Sequence, residues 1–205
     1  MQARTQSALF LIATCAIPTL ASAHIGHEAG EAAHSHASAF MGGFLHPLTG
    51  VDHLAAMVAV GLWSALAARR AWPDLLWAPL GFAAMLLAGA LLGLQGVQLP
   101  AVEPMIAASL LVLGLLVLTR WHVPGIAAAA LVGVFAVFHG LAHGHELAGD
   151  ANAVPVVAGM LLATVLLHIS GMAAGWALRH ANAWVPRLAG AGVAVFGLAL
   201  LGRLA

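Results

Sequence analysis

After residue 39 the chain alternates long apolar runs with short polar breaks, the runs lying near residues 40–68, 75–94, 104–119, 124–142, 153–178 and 184–203. An α-helix needs about 20 mostly apolar residues to cross hydrocarbon, so each run predicts a membrane span. The first run is the longest, and it contains Pro47 and Gly50, both of which oppose a continuous helix. A short broken segment is therefore expected before Gly50. Upstream, Arg4 precedes a shorter apolar run from Ala8 to Leu20 and then Ala21-Ser22-Ala23, the order of a secretory signal peptide with an A-x-A cleavage site. An uncleaved first helix is the alternative, although the apolar centre is short for a span. The expected organisation is a signal peptide over 1–23, a polar histidine-containing tail over 24–38 and a transmembrane domain over 39–205. The predicted fold class is all-α, a polytopic membrane helix bundle of about six transmembrane helices after a cleaved signal peptide.

Composition supports that class and removes several others. Hydrophobic residues make up 62% of the chain and charged residues 7%, too few charges to cover a soluble domain. The formal net charge is zero and all seven basic residues are arginines, leaving no basic tract for nucleic acid. With no lysine there is no Walker A phosphate loop. Any transport must then run down a gradient, couple to an ion or draw on a partner's energy. The single cysteine, Cys15, lies inside the signal segment, so the mature chain has no thiol for a disulfide or a thiolate-bound metal.

The arginines predict the orientation. If cleavage leaves His24 outside, successive crossings bring Arg69, Arg70, Arg120, Arg179 and Arg187 to the cytoplasmic side, with only Arg203 beyond. The segments around 95–103 and 145–153 contain no basic residue and are expected to be outer loops. The expected location is a bacterial inner membrane, with the mature N-terminus periplasmic.

Within this apolar frame lie groups that are expensive in hydrocarbon and usually functional there. The run HPLTGVDHLAAMVAVG contains His46, Asp52 and His53, FHGLAHGHE contains His139 and His143, and His168 stands alone in the fifth span. His139 and His143 are four apart and share a helix face, so both imidazoles can reach one ion. His46 and His53 also share a face, but a straight helix would hold them about 10 Å apart. One ion can use both only if the chain breaks between Pro47 and Gly50. Asp52 and His53 point about 100° apart and call for different partners or a distorted backbone. Buried polar groups also pair simply to pack helices, which is the competing reading of each cluster. Met57 offers a thioether or plain packing, and Glu103 and Glu146 are expected to be solvated near an interface. In the tail, cleavage after Ala23 would give His24 a free amine beside its imidazole, a pair that chelates divalent ions. Gly171 with Gly175, and Gly140 with Gly144, predict close helix contacts.

These elements resemble the HupE/UreJ family, on HPLTGVDH with Met57 and Gly61, on FHGLAHGHE, and on His168 with Ser170 and Gly171. The resemblance covers essentially the whole mature chain. It implies a nickel or cobalt permease, not an enzyme, accessory to hydrogenase or urease. The transported ion would be Ni2+ or Co2+, with no organic cofactor, and the partners would be the bilayer, the metal ion and hydrogenase or urease maturation proteins. His46, Asp52, His53, His139, His143 and His168 become the metal-handling candidates. Two other classes fit three imidazoles around an ion. One is an intramembrane zinc-dependent hydrolase with Asp52 or Glu146 as general base, the other a sensor or storage subunit that binds metal without moving it.

Overall fold

The computed structural model describes residues 36–69, 72–179 and 182–204. The expected signal peptide, Cys15, His24 with the rest of the tail up to residue 35, and Arg70 lie outside the described residues. Among the described residues there are seven helices and no strand: α1 His36–Thr49, α2 Val51–Ala67, α3 Asp74–Leu94, α4 Val102–Thr119, α5 Gly125–Glu146, α6 Ala153–Leu178 and α7 Trp184–Leu204. Helices α3 to α7 are each long and apolar enough to span a membrane. Helices α1 and α2 pass the same test only as a pair, bent by 77° at Gly50, so the bundle has six spans if that pair is one broken span.

The break follows from the local chemistry. Pro47 has no N–H to donate, and Gly50 leaves the helical region with φ −77° and ψ 109°. The Thr49 hydroxyl lies 3.2 Å from the Leu45 carbonyl and 3.1 Å from that of His46, capping the end of α1. Gly50 N–H still donates to His46 O, and Leu54 N–H to Gly50 O, so the turn is made with few orphaned backbone groups. Two boundaries differ from those read in the sequence. Helix α1 starts at His36, so His36 to Ser38 form its first turn rather than the end of a polar tail. Helix α5 runs to Glu146 rather than stopping near 142, which confirms the helical placement of His143 and puts His145 and Glu146 on the helix and not in an outer loop.

Small residues let the helices approach until backbones touch. A Cβ on Gly140 would fall on the Leu86 carbonyl and one on Gly144 on that of Ala90, which locks α5 against α3. On α6, Gly171 meets the Val58 carbonyl, and on α2 Gly61 meets that of His168. Gly43 and Gly159 do the same between α1 and α6, as do Gly114 and Gly190 between α4 and α7. Where lipid is as apolar as leucine, this close approach replaces hydrophobic burial as the force that holds helices together. Met57, Val60 and Trp63 of α2 pack with Phe82, Leu110, Leu113 and Val132 as the buried centre.

The two ends of the bundle are chemically distinct. At one end Arg179 donates from Nε to Ala65 O at 2.9 Å and from Nη2 to Ala68 O at 2.7 Å, satisfying the carbonyls that α2 leaves open. The His122 ring donates from Nδ1 to Ala67 O, and Trp63 donates to Trp121 O. Arg69 and Arg120 occur at these same helix ends, and Trp72, Trp121, Trp176 and Trp184 are exposed beside them, as in an interfacial belt. At the other end lie the start of α2 and the end of α5, where the histidines converge.

Candidate metal centre

His46 comes from the end of α1, His53 from the first turn of α2 and His143 from the last turn of α5. One ligating atom of each lies within 4.8 Å of the other two. His53 and His143 are each 3% exposed, so this is an interior cluster rather than a surface coincidence. The bend at Gly50 does what a straight helix could not: the His46 and His53 rings have centroids 5.4 Å apart, and His143 closes the triangle at 4.6 Å and 4.8 Å.

Hydrogen bonds define which nitrogen faces inward. The Asp52 carboxylate can only accept, so His53 donates to it from Nδ1, at 3.0 Å. With both rings neutral, His53 Nε2 is then a lone pair, and His143 Nε2, 2.8 Å away, carries the proton that bridges the two rings. In that tautomer His143 Nδ1 is a buried lone pair, 3.6 Å from Glu146 Oε2 and able to donate to it only if the ring proton moves from Nε2 to Nδ1, and His46 Nε2 is buried with no partner. Asp52 and Glu146 thus stand behind two of the three imidazoles. That is the arrangement in which carboxylates orient metal-binding histidines.

The other candidates lie around this cluster rather than in it. His139 is fully buried, its ring centroid 5.2 Å from that of His53, yet its Nε2 bonds to Ser109 Oγ at 3.0 Å. His168 lies one turn deeper along α2, with Nδ1 bonded to Met57 O at 2.8 Å and Nε2 buried without a partner. Phe82, itself fully buried, packs against both, with ring centroids 5.8 Å from His139 and 5.3 Å from His168. The Met57 sulfur is buried in the core 3.3 Å from the Thr164 hydroxyl, which donates at 2.9 Å to Met160 O, so the visible role of Met57 is packing.

Sequence reasoning passed over Ser109 and Phe82, because a serine or phenylalanine in an apolar run carries no spacing signal. It also missed a cavity of about 320 Å³ lined in part by Gln98, Glu103, Leu141, His145 and Glu146. Gln98 and His145 lie 3.3 Å apart there, and Glu146 belongs both to the cavity wall and to the neighbourhood of His143. Exposed as expected, Glu103 and Glu146 nevertheless face a shared space beside the cluster. Their common location depends on the α3–α4 connection folding over the end of α5, which spacing cannot show.

A family model described as "HupE / UreJ protein" matches residues 12–200. "Protein HupE" of Rhizobium leguminosarum bv. viciae is 41% identical over 192 residues, covering 93% of this chain and 94% of that protein. No solved structure matches. The match reaches both ends of the helical bundle just described and takes in every histidine of the cluster, so the chain is a multi-helix membrane protein that belongs to the HupE/UreJ family.

Proposed function

We propose that this protein is a permease for a divalent transition-metal ion, nickel in preference and cobalt as a second cargo, which serves assembly of hydrogenase or urease metal centres. The observation that carries the reading is the buried convergence of His46, His53 and His143 from three separate segments. Imidazoles alone accept nickel, cobalt, copper and zinc. The preference for nickel or cobalt among these rests on the family resemblance and not on the donor set.

Loading the ion displaces the proton shared between His53 and His143. His143 then carries its proton on Nδ1, where Glu146 accepts it, and Asp52 already does the same for His53. Two carboxylates raise the basicity of two ligands without entering the ion's shell. Glu103, His145 and Glu146 line the approach, and His139 and His168 offer nitrogen deeper in the bundle. Binding through neutral imidazoles alone keeps the site weak enough to release its cargo.

The orientation we propose places the cluster outside, in the periplasm, and the arginine-rich end in the cytoplasm of a bacterial inner membrane. Residues 1–23 act as the signal peptide, and the tail from 24 to 35 captures ions first, through the His24 amine and imidazole. The transport reading is preferred to hydrolysis because both candidate bases stand behind imidazoles, Asp52 bonded to His53 and Glu146 3.6 Å from His143 Nδ1, which leaves them poorly placed to deprotonate a metal-bound water. Proteoliposomes containing only purified protein test the assignment. Flux of nickel that is lost on His53→Ala at unchanged protein abundance supports it. Binding without flux indicates a sensor or store, and turnover of a peptide or lipid indicates a hydrolase.

A further inference from the structure

We infer that Ser109 is a positioning residue of the transport path: it holds His139 in the tautomer with the proton on Nε2, so that Nδ1 presents a bare lone pair to a divalent cation passing below the three-histidine cluster. The inference rests on the permease reading for its cargo, but not for its chemistry. Ser109 sits on α4 with no exposed surface, and no motif marks it.

Its hydroxyl has one proton and two neighbours. It lies 2.6 Å from Ile106 O, which can only accept, and 3.0 Å from His139 Nε2. With the proton on the shorter contact, Ser109 Oγ must accept from His139 Nε2–H. The reverse assignment would have the hydroxyl donate to Nε2 and put the imidazole proton on Nδ1. That atom is buried and has no partner, and a buried N–H without an acceptor is rarer and costlier than an unused lone pair. The first assignment therefore holds.

His168 shows the same device in mirror form. Met57 O can only accept, which fixes the proton on Nδ1 and leaves Nε2 as a buried, unused lone pair. Two fully enclosed histidines pack against Phe82, each with one nitrogen tied and the other open. A merely structural histidine would use both nitrogens or leave the open one in water. Here the tied atom differs, Nε2 in His139 and Nδ1 in His168, so the two open lone pairs belong to different ring edges. His139 therefore serves an ion as a separate Nδ1 ligand rather than as a fourth Nε2 ligand of the cluster above.

The test is nitrogen NMR of the full-length protein labelled in its histidine rings and purified in nanodiscs, with Zn2+ as a diamagnetic probe. His139 is assigned by the signal missing from His139→Gln. The expected apo spectrum has a protonated Nε2 and an unprotonated Nδ1 at His139, and Zn2+ moves the Nδ1 signal while Nε2 stays protonated. Ser109→Ala should lose the single tautomer and reduce nickel uptake at limiting nickel by about tenfold, whereas Ser109→Thr, which keeps the hydroxyl, should retain both. A proton on Nδ1 in the wild type overturns the inference. So does an Nδ1 signal that ignores Zn2+, or a Ser109→Ala spectrum identical to wild type in folded protein. Flux separates the two readings: wild-type protein that moves no nickel but shows the expected spectrum removes the permease and leaves the tautomer lock standing.

Discussion

Replacing Asp52 by Asn removes one charge and almost nothing else. The amide oxygen can still accept the His53 Nδ1–H now held at 3.0 Å, so the ring keeps its tautomer and the helix its first turn. What disappears is the field of a carboxylate on the ion. Following the path from Asp52 through the ring to an Nε2-bound ion gives roughly 7 Å, taking a metal bond of about 2.0 Å. A single negative charge then attracts a doubly charged ion by about 1 kcal/mol with the screening of bulk water and by about 5 kcal/mol at an effective dielectric of about 20. Asp52 is 24% exposed at the side chain, which places it between those limits. The range brackets the 10 to 100-fold loss, about 1.4–2.7 kcal/mol, typical when a carboxylate behind a metal-binding histidine is removed. In radiolabelled nickel uptake, Asp52→Asn should therefore raise the half-saturating concentration by about 10 to 100-fold while the maximal rate stays within about twofold. Asp52→Ala should do worse, because the tautomer is then released as well. An unchanged half-saturating concentration at equal protein abundance would refute the electrostatic role. Loss of uptake at every nickel concentration would instead make Asp52 a direct ligand.

Four further substitutions, one of them a control, probe other parts of the same site. Glu146→Gln should weaken nickel uptake by about tenfold at limiting metal without lowering the melting temperature in detergent, since Glu146 supports His143 from a partly wet position. Gly61→Ala would drive a methyl group into the His168 carbonyl and should cost about 1–3 kcal/mol, seen as a lower melting temperature, while Gly192→Ala, with open space around it, should be neutral or slightly stabilising. Gly50→Ala adds a Cβ 3.2 Å from Asp52 Oδ1 and 3.3 Å from His53 Nδ1, so titration with nickel should show weaker binding in a protein of normal stability.

Much of the bundle was legible because its constraints are one-dimensional. Span length follows from bilayer thickness, and the broken first span follows from Pro47 and Gly50, which weaken any helix they enter. The need for a break between His46 and His53 was also arithmetic, a rise per residue multiplied by their separation. What stayed hidden depends on how helices turn about their own axes. Spacing puts His139 and His143 on one face of α5, and both rings do border His53. It cannot show that Ser109 takes the nitrogen of one while His53 takes that of the other, since α4 enters from a remote part of the chain. The extension of α5 to Glu146 escaped for a related reason: polar residues such as His145 and Glu146 at the end of an apolar run read as a loop unless they are known to face partners beside the bundle.

The glycines explain how that rotation is set. In FHGLAHGHE each of the two inward histidines is followed directly by a glycine, so along α5 the glycines form a stripe about 100° round from the imidazoles. The glycine stripe has one home, since Gly140 and Gly144 rest on the Leu86 and Ala90 carbonyls of α3, where any side chain would collide. That contact leaves α5 no freedom to roll, and the imidazole stripe is forced toward α2. Helix α6 repeats the logic at another spacing: Gly171, three residues beyond His168, meets Val58 O while Gly61 of α2 meets His168 O, which clamps the two backbones and holds His168 Nδ1 on Met57 O. Small-residue packing is therefore compatible with the metal chemistry proposed for these motifs. A glycine-locked helix is how a membrane protein holds an imidazole in one direction without a hydrophobic effect to press it there, and a bulky residue at Gly140 should scatter the His139 and His143 rings even if the chain still inserts.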